Sequence, residues 1–146
     1  MSEVMYREFT EEDVEEGVRL YQKVFKSEPW FDNDSDDEVM QYLCNFVKLE
    51  SFVGYAAFVD NRMIALSIGF VKPYMKGFEY YLDQFCVDSD LQRQGIGSKF
   101  TEYIKRSLSE KNIHHIFLLT SKSFPSYSFY KKNDFEKIEG LCCMAN

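Results

Sequence analysis

The sequence predicts an α+β fold in which helices cover both faces of a mixed β-sheet. Three observations predict it: apolar residues recur at helical spacing in three segments, short apolar runs separate these segments, and a glycine-containing loop joins one such run to a helix. A chain of 146 residues has the length of one ordinary domain. We therefore expect residues 1–146 to form a single domain.

The first half of the chain predicts one strand, two helices and a hairpin. Residues 4–9 are expected to form the strand, and the helical spacing that follows ends at Pro29, which cannot continue a helix. Ser35 precedes several carboxylates and a second apolar helical face, as expected of a helix cap. Residues 52–59 and 63–71 are apolar runs joined by a short turn, which predicts antiparallel pairing.

The second half of the chain predicts three further strands and two helices. A strand over residues 78–87 precedes a helix that begins at Ile96, and the apolar residues of that helix recur on one face. Residues 113–120 predict the next strand, and Ser126 lies near the start of the last helix. The final strand signals lie between residues 135 and 144.

The composition excludes several classes of function. The formal net charge is −7, so nonspecific nucleic-acid binding, which needs a basic surface, is not expected. No apolar run approaches the roughly 20 residues that cross a bilayer, and the cysteines lack CxxC spacing, so we expect a cytoplasmic protein that does not bind membranes. His114 and His115 are neighbours on a predicted strand and point to opposite faces, so no metal site is expected.

The loop over residues 92–98 is the most informative stretch of the chain. It follows an apolar strand, contains Gly95 and Gly97, and leads into a helix. The first N–H groups of a helix have no partner within it and its dipole favours an anion, so a phosphate can bind a backbone that glycines leave open. A dinucleotide fingerprint would need a third glycine where the chain has Phe100, and a Walker loop would need Gly-Lys-Ser/Thr.

Two motifs resemble the GNAT superfamily of N-acetyltransferases. The run Gln92-Arg93-Gln94-Gly95-Ile96-Gly97 resembles the family's pyrophosphate-binding loop. The segment over residues 126–135 resembles its Phe-Tyr-Lys-Lys-x-Gly-Phe segment, with Asp134 in place of the glycine. Asp tolerates the left-handed conformation that this position requires. The resemblance extends over nearly the whole chain and implies acetyl-CoA as co-substrate, with strands 78–87 and 113–120 splayed around it.

The resemblance also implies which residues contact acetyl-CoA. The backbone amides between Phe85 and Val87, with Cys86 between them, are expected to bind the pantetheine and to polarise the thioester carbonyl. The remaining expected contacts come from the loop and the start of its helix: Gln92, Arg93, Gln94, Gly95, Ile96, Gly97 and Ser98.

Acetyl transfer to an amine needs a proton acceptor for the amine and a proton donor for the leaving thiolate. Tyr130 occupies the position of the family's tyrosine and is the expected acid, because a phenol stays protonated at neutral pH. The alternative is a core tyrosine, since the chain has ten tyrosines.

Asp83 is the expected base, or an anchor for the amine. Its Leu-Asp-Gln triplet resembles the aminoglycoside N-acetyltransferase branch, in which an acid at this position faces the acceptor. Strand alternation puts Asp83 on the same face as Tyr81, Phe85 and Val87, unless a β-bulge reverses its direction. The alternative is a carboxylate that is solvated or paired with Arg62 or Lys72.

The acceptor pocket is expected to include aromatic and acidic residues. In relatives the corresponding helix–helix region lines this pocket, which makes Trp30 and Phe31 candidate contacts to a cationic amine, with Tyr80 and Asp83 on the strand. The acidic run over residues 32–38 could attract the same amine, or it is only a solvated helix start.

These features predict an acetyl-CoA-dependent N-acetyltransferase that acts on a primary amine, of which a small cationic amine is favoured, by direct attack. The alternatives are a protein amine acetyltransferase and a catalytically idle acyl-CoA-binding module. The sequence leaves the acceptor's identity open, and also whether the chain forms a homodimer.

Overall fold

The protein is described over residues 2–146 by a computed structural model, which contains a five-stranded sheet. Its strands are β1 (Met5–Glu8), β2 (Phe52–Val59), β3 (Arg62–Tyr74), β4 (Gly77–Val87) and β5 (Ile116–Leu118). They lie side by side in chain order, and every neighbouring pair is antiparallel except β4 and β5, which are parallel. The predicted mixed sheet is confirmed.

Helices cover both faces of this sheet, as predicted. They are α1 (Val14–Phe25), α2 (Asp36–Val47), α3 (Ile96–Glu110) and α4 (Pro125–Lys132). The core under α1 and α2 includes the fully buried Leu20 and Leu43, and the core under α3 includes the fully buried Tyr55 and Phe100. In the part of the chain that the structure describes, no helix is both long and apolar enough to cross a membrane.

Short-range hydrogen bonds determine where the first two helices begin. The Glu38 N–H donates to Ser35 Oγ (3.1 Å), and the Ser35 N–H donates back to Glu38 Oε1 (3.0 Å), so the predicted cap is a reciprocal capping box. Before α1, the buried carboxylate of Asp13 accepts from the Thr10 N–H (2.8 Å). Arg7 on β1 also donates to both oxygens of Asp13, so this carboxylate joins the first strand to the first helix.

A β-bulge interrupts the pairing of β3 and β4. Ile68 lies opposite Gln84 and Gly69 lies opposite Leu82, so Asp83 is an extra residue with no counterpart on β3. Gly69 is required at this position because a methyl group there would lie 2.2 Å from the carbonyl oxygen of Tyr81.

The bulge changes which side chains share a face of β4. Asp83 points toward α2, where Tyr42 donates a hydrogen bond to it. Phe85 points toward α3, and its ring centroid lies 5.5 Å from that of Phe100. The expectation that Asp83 shares a face with Phe85 and Val87 is therefore wrong, and the alternative of a β-bulge is confirmed, because the extra residue reverses the alternation between them. Tyr81 stays on the face of Asp83, where its ring packs against Phe70.

The predicted final strand over residues 135–144 is also wrong, since residues 133–146 contain neither helix nor strand. Its apolar residues Ile138, Leu141 and Met144 recur at every third position, whereas the side chains of a strand alternate between two faces. One face of a strand therefore could not bury all three, and all three are exposed.

The preceding strand is shorter than the expected 113–120. The Ile113 N–H donates to the Leu108 carbonyl at the end of α3, so strand pairing begins only later.

Candidate active site

A gap opens between the last part of β4 and β5. The pairing with β5 involves only Tyr80, Tyr81 and Leu82 on β4, whereas β4 continues to Val87 and stays paired with β3. Within residues 2–146, the other edge of this last part of β4 has no strand partner. Its backbone groups can therefore bind an extended ligand by strand-like hydrogen bonds.

The side chains of Phe85, Cys86 and Val87 fill the core, which leaves only their backbone for the gap. Phe85 packs against the ring of Phe129 on α4, with centroids 5.4 Å apart. Cys86 is buried in the core under α1 and α2, and burial raises the pKa of its thiol. A thiol held in its protonated form is a poor nucleophile, so Cys86 is a packing residue.

The start of α3 provides an open group of backbone donors. The first helical hydrogen bond runs from the Lys99 N–H to the Gly95 carbonyl (3.1 Å), so the N–H groups of Ile96, Gly97 and Ser98 precede it. Gly95 has a left-handed backbone (φ 80°), and a side chain there would have no atom within 4 Å. Free donors, the helix dipole and open space together can bind an anion.

Side chains around the loop fix its position at the end of β4. Gln92 Nε2 donates to the Val87 carbonyl (3.0 Å), so Gln92 ties the loop to the strand. The buried carboxylate of Asp88 accepts from Lys23 on α1 (2.7 Å). Burial opposes ionisation of Asp88, but the bonds from Lys23 and from the Asp90 N–H, with the charges of Lys23 and Arg19, together outweigh it and lower the pKa of this carboxyl. Arg93 and Gln94 are exposed, and Arg93 has a left-handed backbone (φ 66°).

Gly97 has a packing role that the motif does not reveal. A methyl group at this position would lie 2.8 Å from Cε1 of Phe129 and 3.5 Å from Val87. Without a side chain at Gly97, the start of α3 can approach α4 closely. A larger residue would therefore disturb the contact between two helices as well as any bound phosphate.

Tyr130 lies on α4 with its ring between Phe85, Phe129 and Phe135, at centroid distances of 6.2, 5.4 and 5.4 Å. Burial raises the pKa of this phenol, so Tyr130 is protonated at neutral pH. It also lines a cavity of about 310 Å³ between β5, α4 and the C-terminal residues. Asp134 has a left-handed backbone (φ 70°) after the helix, which confirms the conformation expected at the family's glycine position.

Asp83 accepts a hydrogen bond from the hydroxyl of Tyr42 on α2. Lys72, one of the two cations considered as its partner, instead pairs with Glu79 (3.0 Å). Tyr42 is a residue of the site that the sequence motifs do not predict. It lies on the same face of α2 as Leu43 and Phe46, but its partner is 41 residues away along the chain, and only the fold brings the two together.

A continuous band of aromatic rings on this face of the sheet includes Tyr42, the hydrogen-bond partner of Asp83. Successive ring centroids along it are 4.9 to 6.5 Å apart. We call it the aromatic band, and its members are Tyr21, Tyr42, Phe46, Phe70, Tyr81 and Phe117. Rings of this kind present a negative face to a cation, next to the carboxylate that would neutralise it.

The other predicted acceptor residues divide into two groups. Trp30 packs against Phe25 of α1 (5.1 Å) and Phe124 at the start of α4 (6.1 Å), so the loop between α1 and α2 meets α4. Phe31 follows with a left-handed backbone (φ 47°) and a side chain that is 67% exposed. Tyr80 is fully buried in the core under α3, and its hydroxyl donates to the Val53 carbonyl. The expectation that Tyr80 contacts the acceptor is therefore wrong.

The acidic run is also divided. Asp36 accepts from Gln22 Nε2 (2.8 Å), and Glu38 belongs to the capping box, so these carboxylates are structural. Asp32 is half-buried, and burial followed by the charge of Asp34 raises its pKa. Both Asp32 and Asp34 act electrostatically on Tyr21 of the aromatic band, where burial is the main reason that the pKa of Tyr21 rises to about 12.

Comparisons with known proteins agree with this geometry. A solved aminoglycoside acetyltransferase from an uncultured soil metagenomic sample, in complex with sisomicin, superposes with a TM-score of 0.77 at 19% identity, over 98% of this chain and 95% of that chain. A predicted acetyltransferase with acetyl-CoA from Clostridium acetobutylicum gives a TM-score of 0.72 at 22% identity, over 98% and 96%. Ribosomal-protein-alanine N-acetyltransferase from Brucella melitensis gives 0.78 at 12% identity, over 99% of both chains.

At these identities the solved structures show a shared fold. Among curated protein sequences, none matches the chain. The sequence pattern of the acetyltransferase (GNAT) family matches residues 5–135, which include the loop before α3, Asp83 and Tyr130. A match over this much of the chain, together with the mixed sheet that opens between β4 and β5, shows that the chain belongs to the GNAT family of acetyltransferases.

Proposed function

We propose that this protein is an N-acetyltransferase that moves the acetyl group of acetyl-CoA to the primary amine of a small cationic acceptor. One observation carries the proposal: the gap beside the last part of β4 lies next to the open N–H groups at the start of α3. A long ligand with phosphates at one end and a reactive group at the other fits this arrangement.

Acetyl-CoA has the chemistry that these groups would bind. Its pyrophosphate would accept hydrogen bonds from the N–H groups of Ile96, Gly97 and Ser98, with Arg93 available to neutralise charge. Its pantetheine would pair with the open edge between Phe85 and Val87, whose amides would polarise the thioester carbonyl. The solved neighbour that contains acetyl-CoA supports this assignment.

Asp83 and Tyr130 would then carry the two proton transfers. Asp83 takes a proton from the charged amine of the acceptor. The free amine nitrogen then forms a bond to the carbonyl carbon of the acetyl group. The carbon–sulfur bond breaks, and the leaving sulfur takes a proton from Tyr130. The phenolate regains its proton from the nitrogen that has become an amide, and Asp83 releases its proton to water. The products are the acetylated amine and CoA as its thiol, and no acetyl group is attached to the protein.

The acceptor side favours a small amine with several positive charges. Asp83 accepts a hydrogen bond from Tyr42 of the aromatic band, and Asp32 and Asp34 lie near one end of it, so cations would meet both aromatic faces and carboxylates. The solved neighbour in complex with sisomicin, an aminoglycoside acetyltransferase, supports this substrate class.

A protein amine is the second candidate acceptor. It is favoured by the neighbour named as a ribosomal-protein-alanine N-acetyltransferase, whose TM-score of 0.78 is close to the 0.77 of the aminoglycoside acetyltransferase compared above. A catalytically idle acyl-CoA-binding module is the third possibility. Turnover separates this module from both kinds of enzyme.

A thiol-release assay tests the proposal. Acetyl-CoA is supplied with polyamines, aminoglycosides, or peptides that carry a free N-terminus or a lysine, and the Asp83→Asn variant serves as the control. We expect release of CoA with at least one small polycation, reduced in the variant. Release with peptides alone would replace the small-molecule proposal, and tight acetyl-CoA binding without release would indicate the idle module.

A further inference from the structure

We propose that Tyr42 is a positioning residue for Asp83: it holds one carboxylate oxygen so that the other is directed at the acceptor amine. This inference rests on the proposed function, because it assigns to Tyr42 a role in the same transfer reaction. Neither sequence motif includes Tyr42, which lies on α2 rather than on the strand and helix that carry the motifs.

The geometry gives Asp83 a well-defined orientation. As the extra residue of the bulge, Asp83 has no partner on β3 that could align its side chain. The hydrogen bond from Tyr42 to Oδ2 is the contact that orients it. Tyr42 is itself held by its neighbours, since its ring lies 5.2 Å from that of Phe46 and 6.0 Å from that of Tyr21.

This arrangement leaves Asp83 Oδ1 to receive the amine proton. The bond from Tyr42 uses Oδ2, and the second oxygen of a carboxylate is a separate acceptor. Tyr42 does not compete for the proton, because burial and then the bond to Asp83 raise the pKa of its phenol. Tyr42 therefore acts on the reaction through Asp83 and does not need to touch the acceptor.

The test replaces Tyr42 by phenylalanine, which keeps the ring and removes the hydroxyl. We expect kcat to fall about tenfold with little change in the KM for acetyl-CoA, because the base is less well oriented.

Two controls separate positioning from a structural effect. Tyr103→Phe removes a hydroxyl from a packed ring on α3, far from α2, and should leave kcat unchanged. In an Asp83→Asn background, Tyr42→Phe should have almost no further effect, because both changes remove the same interaction. Additive losses in the double variant, or a wild-type kcat for Tyr42→Phe, would overturn the inference while leaving the proposed function intact.

A spectroscopic measurement tests the hydrogen bond even if Tyr42→Phe folds poorly, because it does not depend on activity. In protein labelled with ¹³C-tyrosine, the Tyr42 Cζ signal of the wild type should differ from that of Asp83→Asn, because the substitution replaces the carboxylate that accepts from the Tyr42 hydroxyl. The same Tyr42 signal in both folded proteins would remove the hydrogen bond and with it the inference. Failure of turnover while the two Tyr42 signals differ would count against the proposed function instead.

Discussion

Tyr130 and Asp83 approach β4 from its two faces. Tyr130 packs beside Phe85, in the part of β4 that β5 no longer covers, whereas Asp83 points toward α2 and meets Tyr42. An acid and a base on opposite sides of a bound thioester could each transfer a proton without exchanging it with the other.

Tyr130→Phe should lower kcat on the order of 100-fold, because the leaving thiolate loses its proton donor. The affinity for acetyl-CoA should change little, since the ring still packs against Phe129 and Phe135. Steady-state rates and calorimetric affinities, measured on the same preparation, check both expectations. An undiminished rate at saturating substrates would make Tyr130 a packing residue.

Individual positions could be predicted from the sequence where the backbone geometry of a motif depends on residues that are neighbours along the chain. The loop before α3 and the left-handed Asp134 follow from local rules, because backbone donors and positive φ angles depend on neighbours along the chain. The direction of Asp83 could not be predicted in this way. It depends on a bulge opposite Gly69, a residue 14 positions earlier, and on Tyr42 on another element.

At the scale of elements, features that depend on local spacing could again be predicted, and those that depend on pairing with a distant segment could not. The helices on both faces and the antiparallel hairpin of β2 and β3 were predicted, because their apolar spacing matches the period of each structure. The final strand was predicted wrongly, because a short apolar stretch alone does not show whether it will pair with an edge strand. β5 pairs over only three residues, and residues 133–146 stay outside the sheet.

The anion site at the start of α3 can be tested at Gly95, where a side chain would enter open space. Asn and Asp both tolerate its left-handed backbone, so Gly95→Asn and Gly95→Asp form a matched pair that differs in charge. We expect acetyl-CoA to bind about tenfold more weakly to the Asp variant than to the Asn variant, because the carboxylate repels the pyrophosphate.

Calorimetry measures this difference directly. An Asp at the start of a helix stabilises the helix itself, so weaker binding by Gly95→Asp could not be attributed to unfolding. Equal affinities in the two variants would place the pyrophosphate elsewhere. Gly97→Val is a less suitable test, because its side chain would collide with Phe129.

The link between β1 and α1 predicts a pH-dependent stability. Burial opposes ionisation of Asp13, but the bonds from Arg7 and from the Thr10 N–H outweigh it and lower the pKa of this carboxyl. Its contribution is therefore complete above the unfolded pKa of about 3.9 and is lost as the pH falls through the lower folded value. Asp13→Asn should cost about 1 to 2 kcal/mol at pH ~7.

Urea unfolding of the wild type and of Asp13→Asn at neutral and acidic pH provides the check. The difference in unfolding free energy should shrink as the pH falls. Protonation of Asp13 in the wild type removes the same interactions of the ionised carboxylate that the substitution removes in the variant. A difference that stays constant across this pH range would show that the ionised form of Asp13 does not stabilise the fold.

At the scale of the whole molecule, the acidic charge suggests how a cationic acceptor is captured. With a formal net charge of −7, the chain attracts polycations, and Asp32 and Asp34 lie near one end of the aromatic band. We expect kcat/KM for a polycationic amine to fall as the salt concentration rises, because salt screens this attraction. Asp32 and Asp34 should have less effect on the affinity for acetyl-CoA.

The pair Asp32→Asn and Asp34→Asn should lower kcat/KM several-fold, on the order of 3 to 10. The matched control is Glu3→Gln with Glu50→Gln, since both pairs change the formal net charge from −7 to −5 and the control residues are exposed elsewhere. An equal loss in both pairs would indicate that only overall charge matters. No loss in either, or a preference for neutral amines, would contradict capture of a cationic acceptor.

The mass of the acceptor after incubation with acetyl-CoA shows whether the protein transfers an acetyl group directly to an amine. We predict that a small polycationic amine gains the mass of one acetyl group at a nitrogen, that CoA is released as its thiol, and that the mass of the protein does not change during turnover. Tyr130→Phe should slow all acetyl transfer to the amine. Acetyl-CoA that binds without acetylating any amine, or an acetyl group that accumulates on the protein during turnover, would contradict the account.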